Sequence, residues 1–352
     1  MTTPHRPHGV VVESVGSPPA EPWPMFGLDA DIRRALAQAL AAAEPVALLT
    51  VHAAIGGAPR GVGAQMLVGA DGRASGYLAG GCVESDAMRH ALACLADGKP
   101  RRLTYGVGGP ADLPLACGGS IEVLVERIGP DEPAAQALVR SLEDRRPVMF
   151  ITDGDHRTCV ATTSTPDPIA HAVAGAEEAG VVEPFQVWRL YDPPPRLVVI
   201  GADPTALALT ELAARSRIDT TLVRPHGPAT ESPVEGAGYR RDSIAEAFAA
   251  VRLDRWTAVV SATHDAGNDH DALSGALASD AFYVAAIGSR RRAPEIRARL
   301  RDSGLSAADV ERLHSPAGIL PGGRSPAEIA ISILAEMIEI DRTTRASRRL
   351  NA

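Results

Sequence analysis

Lysine is almost missing from this sequence. Lys and Arg together number 35 in 352 residues, yet Lys99 is the one lysine. A Schiff-base or P-loop lysine would have to be Lys99, and its neighbours Asp97-Gly98-Lys99-Pro100 read as a helix exit and turn, which excludes lysine chemistry. Aromatic residues make up only 4% of the chain, so the core has to be built from Ala, Val, Leu and Ile. The four cysteines (Cys82, Cys94, Cys117, Cys159) contain no C-x-x-C pair, which argues against a disulfide framework or a structural zinc site. Basic charge is in deficit: 35 Lys plus Arg stand against 43 Asp plus Glu, a formal net charge of −8, so no general nucleic-acid surface is expected. Met1 to Gly16 holds no apolar run of the length a signal peptide or membrane span needs, which predicts a cytoplasmic protein that does not engage a membrane.

What is present is an ordinary globular balance, 45% hydrophobic and 22% charged, with a length that suits two domains. Residues 1–27 are rich in Pro and Gly and read as a loosely held arm. Residues 28–128 read as a mixed α/β unit: an amphipathic helix on Ile32, Leu36 and Leu40, an apolar strand from Val46, a hairpin around Asp71-Gly72, a helix through Met88, Leu92 and Leu95, and a strand from Ser120. Residues 129–195 read as a connecting region with a short helix near Pro133–Glu143, an apolar strand at Val148–Thr152 and a further strand around Cys159–Thr163, and it ends in the stiff Pro193-Pro194-Pro195. From 196 to 341, Val- and Ile-rich strands alternate with helices, the pattern of a doubly wound, Rossmann-like parallel sheet. Residues 342–352 read as a basic tail.

Two loops of the first domain carry cysteine beside glycine. In Gly80-Gly81-Cys82-Val83-Glu84 the glycines let backbone approach a ligand, and a thiol at a helix start faces free N–H groups that favour the thiolate. A tight turn around a small apolar Cys is the bland alternative. Cys117-Gly118-Gly119 repeats the arrangement before a strand, whereas Cys94 and Cys159 fall inside elements and read as packing.

In the second domain Gly201-Ala202-Asp203-Pro204-Thr205-Ala206 occupies the place of a dinucleotide fingerprint, but Asp203 stands where the second glycine belongs. Asp203 before Pro204 makes an N-cap and first helical residue, which puts the protein's own carboxylate where a pyrophosphate would sit. The expected acid on the next strand is replaced by Val223-Arg224-Pro225. The fold signal is therefore strong and NAD(P) binding is not expected. Thr263-His264-Asp265 and Gly288-Ser289-Arg290-Arg291 follow two later strands, and Gly-Ser with arginines at a helix start suits an oxyanion.

Taken together, Gly80-Gly81-Cys82-Val83-Glu84, Cys117-Gly118-Gly119-Ser120-Ile121-Glu122-Val123, Thr263-His264-Asp265, Asp280-Ala281-Phe282-Tyr283-Val284, Gly288-Ser289-Arg290-Arg291 and His314-Ser315-Pro316-Ala317-Gly318-Ile319 resemble the XdhC/CoxI family of accessory proteins for molybdenum hydroxylases. The resemblance covers residues 30–128 and 196–340. It implies a cytoplasmic, dimeric maturation factor rather than a conventional enzyme. Such a factor binds molybdenum cofactor while a cysteine desulfurase sulfurates it, then passes it to the apo molybdenum hydroxylase. On that reading the cofactor-binding residues are Gly80, Gly81, Cys82, Glu84, Cys117, Gly118, Gly119, His264, Asp265, Gly288, Ser289, Arg290 and Arg291, with Cys82 nearest the molybdenum and Glu84 ordering its loop. The rival reading, from the second domain's fold alone, is an NAD(P)-dependent oxidoreductase with a divergent site.

Overall fold

The structure, a computed structural model, describes residues 27, 29–81, 83–109, 115, 117–162, 177–182, 186–263, 265–319 and 325–350. Cys82, His264 and the arm up to residue 26 lie outside the described residues.

The first domain is a five-stranded antiparallel sheet. Its strands are β1 (Val46–Ile55), β2 (Gln65–Gly69), β3 (Ala74–Gly76), β4 (Arg101–Gly106) and β5 (Ser120–Ile128), in the order β3-β2-β1-β5-β4. Alternation along β1 decides both of its faces. Ala47, Leu49 and Val51 pack under helix α2 (Glu84–Asp97) together with Met66, Val123 and Val125, while Val46 and Leu48 face the helices α1 (Arg33–Ala41) and α3 (Pro133–Glu143). Helix α2 sets Ala87, Ala91 and Cys94 against the sheet, and these small side chains let it lie close. Gly98, at φ +72, ends the helix in the left-handed conformation that glycine adopts without strain. Sequence reading passed over β4, whose outward Arg102 and Thr104 mask the inward Tyr105.

The connecting stretch carries a second sheet, to which the strands expected at Val148–Thr152 and around Cys159 contribute two of four members. Strands β6 (Val148–Thr152), β7 (Arg157–Ala161), β8 (Ala179–Val182) and β9 (Gln186–Tyr191) pair antiparallel in the order β7-β6-β9-β8. Phe150 and Tyr191 send their side chains into the same cluster as α1 and α3, which joins this sheet to the first domain.

The second domain is a six-stranded parallel sheet: β10 (Arg196–Gly201), β11 (Asp219–Val223), β12 (Gly238–Arg240), β13 (Thr257–Ala262), β14 (Tyr283–Ala286) and β15 (Leu313–His314). The order β12-β11-β10-β13-β14-β15 is the 3-2-1-4-5-6 order of the Rossmann fold. Helices α4 (Pro204–Arg215), α5 (Ile244–Val251), α6 (Ala266–Leu277), α7 (Ala293–Asp302), α8 (Ala307–Glu311) and α9 (Pro326–Leu350) complete it. Buried clusters lie on both faces of the sheet, so its central strands β10, β13 and β14 are almost wholly buried.

Helix α9 differs from the sequence expectation of a basic tail after residue 341. It stays helical to Leu350, and its last two arginines are buried and paired: Arg348 with Asp341, and Arg349 with Asp192 through Nε at 2.8 Å and Nη2 at 2.6 Å. Buried guanidiniums need carboxylate partners, and Asp192, at the exit of β9, supplies one from the second sheet. The last helix thereby ties the second domain back to the second sheet.

Candidate functional site

Register gathers the glycine-rich loops of the first domain at one end of its sheet. Ile55 pairs with Ser120, Ser120 with Gly106, and Met66 with Gly76. The end of β1, the start of β5, and the ends of β4 and β3 therefore share one edge. The chain leaving β3 passes through Leu78-Ala79-Gly80-Gly81 and enters α2 at that edge. Cys117-Gly118-Gly119 enters β5 beside it. A Cβ on Gly119 would lie 2.7 Å from the Ile55 carbonyl oxygen, and one on Gly57 3.0 Å from that of Cys117, so these backbones touch where only glycine fits. Leu78, Ala79 and Val83 from one loop and Leu115 from the other pack in a single cluster.

Glu84 organises the first loop. Its Oε1 accepts the backbone N–H groups of Leu78 (3.0 Å), Ala79 (2.7 Å) and Gly80 (2.9 Å). Its Oε2 accepts those of Gly81 (2.8 Å) and Val83 (3.2 Å). The side chain is only 3% exposed. Burial alone would raise its pKa, but the N–H groups of Ala79, Gly80 and Gly81 outweigh it and hold the carboxyl below the ordinary glutamate value. The loop thus turns its donors inward, with Gly80 and Gly81 at φ +93 and +114 and exposed on their outer side. Among the described residues beyond its chain neighbours, no atom lies within 4 Å of where a Gly80 Cβ would be, so a ligand can approach the backbone there. Asp86, one turn into α2, accepts the Tyr105 hydroxyl at 2.8 Å and fixes the helix start to β4.

Of the cysteines, Cys117 is exposed at this edge, whereas Cys94 is buried under the sheet. Cys159 is half-buried on β7, and burial pushes its thiol up to about 11, so it stays protonated at neutral pH. Among the described residues no three His, Cys, Asp or Glu side chains come together as a metal-binding group.

The remaining candidates sit elsewhere. Asp265, Gly288, Ser289, Arg290 and Arg291 line the C-terminal edge of the parallel sheet, after β13 and β14. Asp265 Oδ1 caps α6 by accepting the Asn268 N–H at 2.7 Å, and Asp203 Oδ1 caps α4 in the same way at the Ala206 N–H, 2.7 Å. Both helix starts at the crevice between β10 and β13 are therefore occupied by carboxylates. A Cβ on Gly201 would meet the Ala262 carbonyl oxygen at 2.3 Å, so its glycine serves strand packing. Arg290 and Arg291 are exposed. Among the described residues no hydrogen bond or ion pair joins this edge to the Glu84 loop.

None of the described candidate site residues that the sequence singles out lines the cleft of about 370 Å³ that opens where the first domain, the second sheet and α9 meet. Arg60, Gly61, Gly63, Arg33, Arg189, Asp192 and Arg349 are among the residues that line it. Arg60 connects it to the glycine loop: Nη1 donates to the Tyr77 carbonyl at 2.8 Å, one residue before the N–H groups that Glu84 collects.

Residues 39–106 match the sequence profile described as the XdhC and CoxI family, and residues 197–337 match that of the XdhC Rossmann domain. The chain belongs to the XdhC and CoxI family. Among its relatives in this family, the "Molybdenum cofactor insertion chaperone PaoD" of Escherichia coli is 29% identical over 88% of this chain and 87% of its own. A probable xanthine dehydrogenase subunit of Bacillus subtilis is 27% identical over 84% of this chain and 93% of its own. A crystal structure of a xanthine dehydrogenase from Bacillus halodurans superposes with a TM-score of 0.68 at 24% identity, covering 88% of this chain and 96% of that one, which bears on the fold alone. No helix among the described residues is long and apolar enough to cross a membrane.

Proposed function

We propose that this protein is a chaperone for molybdenum cofactor: it binds the cofactor, holds it during sulfuration by a cysteine desulfurase, and delivers it to an apo molybdenum hydroxylase of the xanthine-dehydrogenase type. It does so in the cytoplasm and as a homodimer. The observation that carries the reading is the loop on Glu84. Five inward N–H bonds fix the backbone on either side of Cys82, and the exposed faces of Gly80 and Gly81 leave room for a large flat cargo. The names of the Escherichia coli and Bacillus subtilis relatives support it. In this reading Cys82 approaches the molybdenum as a soft thiolate, and Cys117, Gly118 and Gly119 complete the same edge. Asp265, Gly288, Ser289, Arg290 and Arg291, with His264, form a second face at the parallel sheet that meets the client or the cargo.

The test is anaerobic binding of molybdenum cofactor by ultrafiltration, with NAD and NADP as competitors. Near-stoichiometric binding that Cys82→Ala weakens and nucleotides leave unchanged is expected. Unchanged binding by Cys82→Ala would remove the role given to that thiol. Binding of NAD(P) with none of the cofactor would put the oxidoreductase reading first, which the Rossmann strand order favours and the Asp203 cap opposes.

A further inference from the structure

The interdomain cleft contains more positive charge than its own carboxylates balance. Of the five arginines lining it, three are matched: Arg33 with Asp31, Arg349 with Asp192, and Arg345 with Asp341 just outside. Arg60 and Arg189 are different. Arg60 rests on the Tyr77 carbonyl and over the Tyr77 ring at 4.3 Å. Arg189 donates through Nη1 to the Gly63 carbonyl and Gln65 Oε1, and through Nη2 to the Ala30 carbonyl, each at 2.9 Å, with its guanidinium over the Tyr191 ring at 4.7 Å. Among the described residues neither has a carboxylate within ion-pair distance. The acids that act on them from further away are already engaged: Asp31, towards Arg189, by both Nε and Nη2 of Arg33, and Glu84, towards Arg60, by its five backbone N–H groups.

Two guanidiniums held by neutral oxygens and aromatic faces in a shared, partly dry cleft repel one another. Burial lowers the pKa of Arg60, and Arg189 lowers it further. Such a pair is stabilised by an anion that can accept several N–H bonds at once. Phosphate matches the guanidinium fork bidentately. The cleft's 370 Å³ is within the range of small-molecule sites, roughly 300–1,000 Å³.

We infer that this cleft is a binding site for the phosphate end of a small phosphate ester, held by Arg60 and Arg189. The carbonyl contact of Arg60 places that phosphate against the same backbone that Glu84 gathers, so one ligand can span cleft and loop. The site rests on the charge and geometry of the cleft; that its natural ligand is the phosphate of the cofactor rests on the proposed function.

The experiment titrates the full chain with inorganic pyrophosphate by calorimetry at low ionic strength, for wild type, Arg60→Gln, Arg189→Gln and Gly61→Glu. Gly61 lines the cleft, and among the described residues beyond its chain neighbours no atom lies within 4 Å of an added Cβ, so a glutamate there introduces negative charge without displacing a contact, and this variant keeps the test valid where Arg189→Gln disturbs folding. Wild type is expected to bind pyrophosphate, and each variant to bind it at least tenfold more weakly. No binding by wild type, or equal binding by Arg60→Gln and Gly61→Glu, overturns the inference. Cofactor ultrafiltration with and without pyrophosphate then separates the sources. Competition means that the cofactor's own phosphate fills the cleft, and simultaneous binding means that a separate phosphate ester does. Pyrophosphate binding without cofactor binding removes the chaperone reading and leaves the cleft. Cofactor binding without pyrophosphate binding does the reverse.

Discussion

Two buried glutamates in the same sheet assembly are pushed in opposite directions. Glu84 is 3% exposed and Glu126 is 0% exposed, yet the pKa of the first is lowered and that of the second raised. Glu84 is surrounded by five backbone donors that the local turn brings to both oxygens. Glu126 sits at the seam between the first two sheets, where its Oε2 takes the Arg157 guanidinium and the Thr152 hydroxyl, while Oε1 has no partner among the described residues. Burial then dominates at Glu126 despite a neighbouring cation. Filling every lone pair with fixed N–H groups protects a buried carboxylate better than one strong ion pair that leaves an oxygen dry.

The sharpest way to break this comparison is Glu84→Ala. It strands five loop N–H groups at once, three of them on the buried residues Leu78, Ala79 and Val83. The expected loss is about 4 kcal/mol, several unsatisfied donors at about 1–3 kcal/mol each with partial relief by water. Chemical denaturation should show it, and cofactor retention should fall with it if the loop is the binding element.

The conservative pair is smaller and more discriminating. Glu84→Gln keeps the shape but turns an amide NH₂ towards N–H groups, at a cost of about 2–3 kcal/mol at neutral pH. Glu126→Gln removes a charge that burial already disfavours, and Arg157 keeps Glu132 and the Gly154 carbonyl, so about 1 kcal/mol is expected. The pH dependences should run oppositely. Glu84, lowered in the folded state, contributes stability that is complete above the unfolded glutamate value and is lost as pH falls through its folded value. Glu126, raised in the folded state, contributes most below the unfolded value and loses that contribution as pH rises through its folded value. The deficit of Glu84→Gln should therefore shrink on acidification below about pH 4, and that of Glu126→Gln should shrink as pH rises. Parallel pH profiles from urea melts would defeat the comparison.

What could be read in the sequence follows the reach of each interaction. The Asp203-Pro204 cap, the buried strands of the parallel sheet and the link from Glu84 to Gly80-Gly81 all act within six residues, and the chain displays them. The strands β8, β9 and β12 escaped because they are short and only partly apolar, so neither period nor length marks them. The burial of Arg348 and Arg349 depended on Asp341 and Asp192, the latter more than 150 residues away, and a run of arginines at a chain end carries no sign of such partners. The cleft was hidden for the same reason. Arg60 lies in the loop between β1 and β2 and Arg189 on β9 of the second sheet, and nothing local distinguishes a guanidinium resting on carbonyls from one in water.

The smallest effect tests whether the two domains use carboxylates for different ends. Asp203 also accepts backbone N–H, but its cap bond goes to the single donor of Ala206 at the part-buried start of α4. Asp203→Ala should cost about 1 kcal/mol, the usual value of an N-cap, and Asp203→Gly only a few tenths, since glycine lets water reach the freed amide. Neither should alter cofactor retention, because the Glu84 loop shares no hydrogen bond with that helix among the described residues. A thermal-melt series with retention measured on the same samples decides the point. A loss of retention in Asp203→Ala comparable to that in Glu84→Ala would mean that the crevice between β10 and β13 takes part in holding the cargo, and the contrast between a loop-building and a helix-capping carboxylate would no longer divide the site from the scaffold.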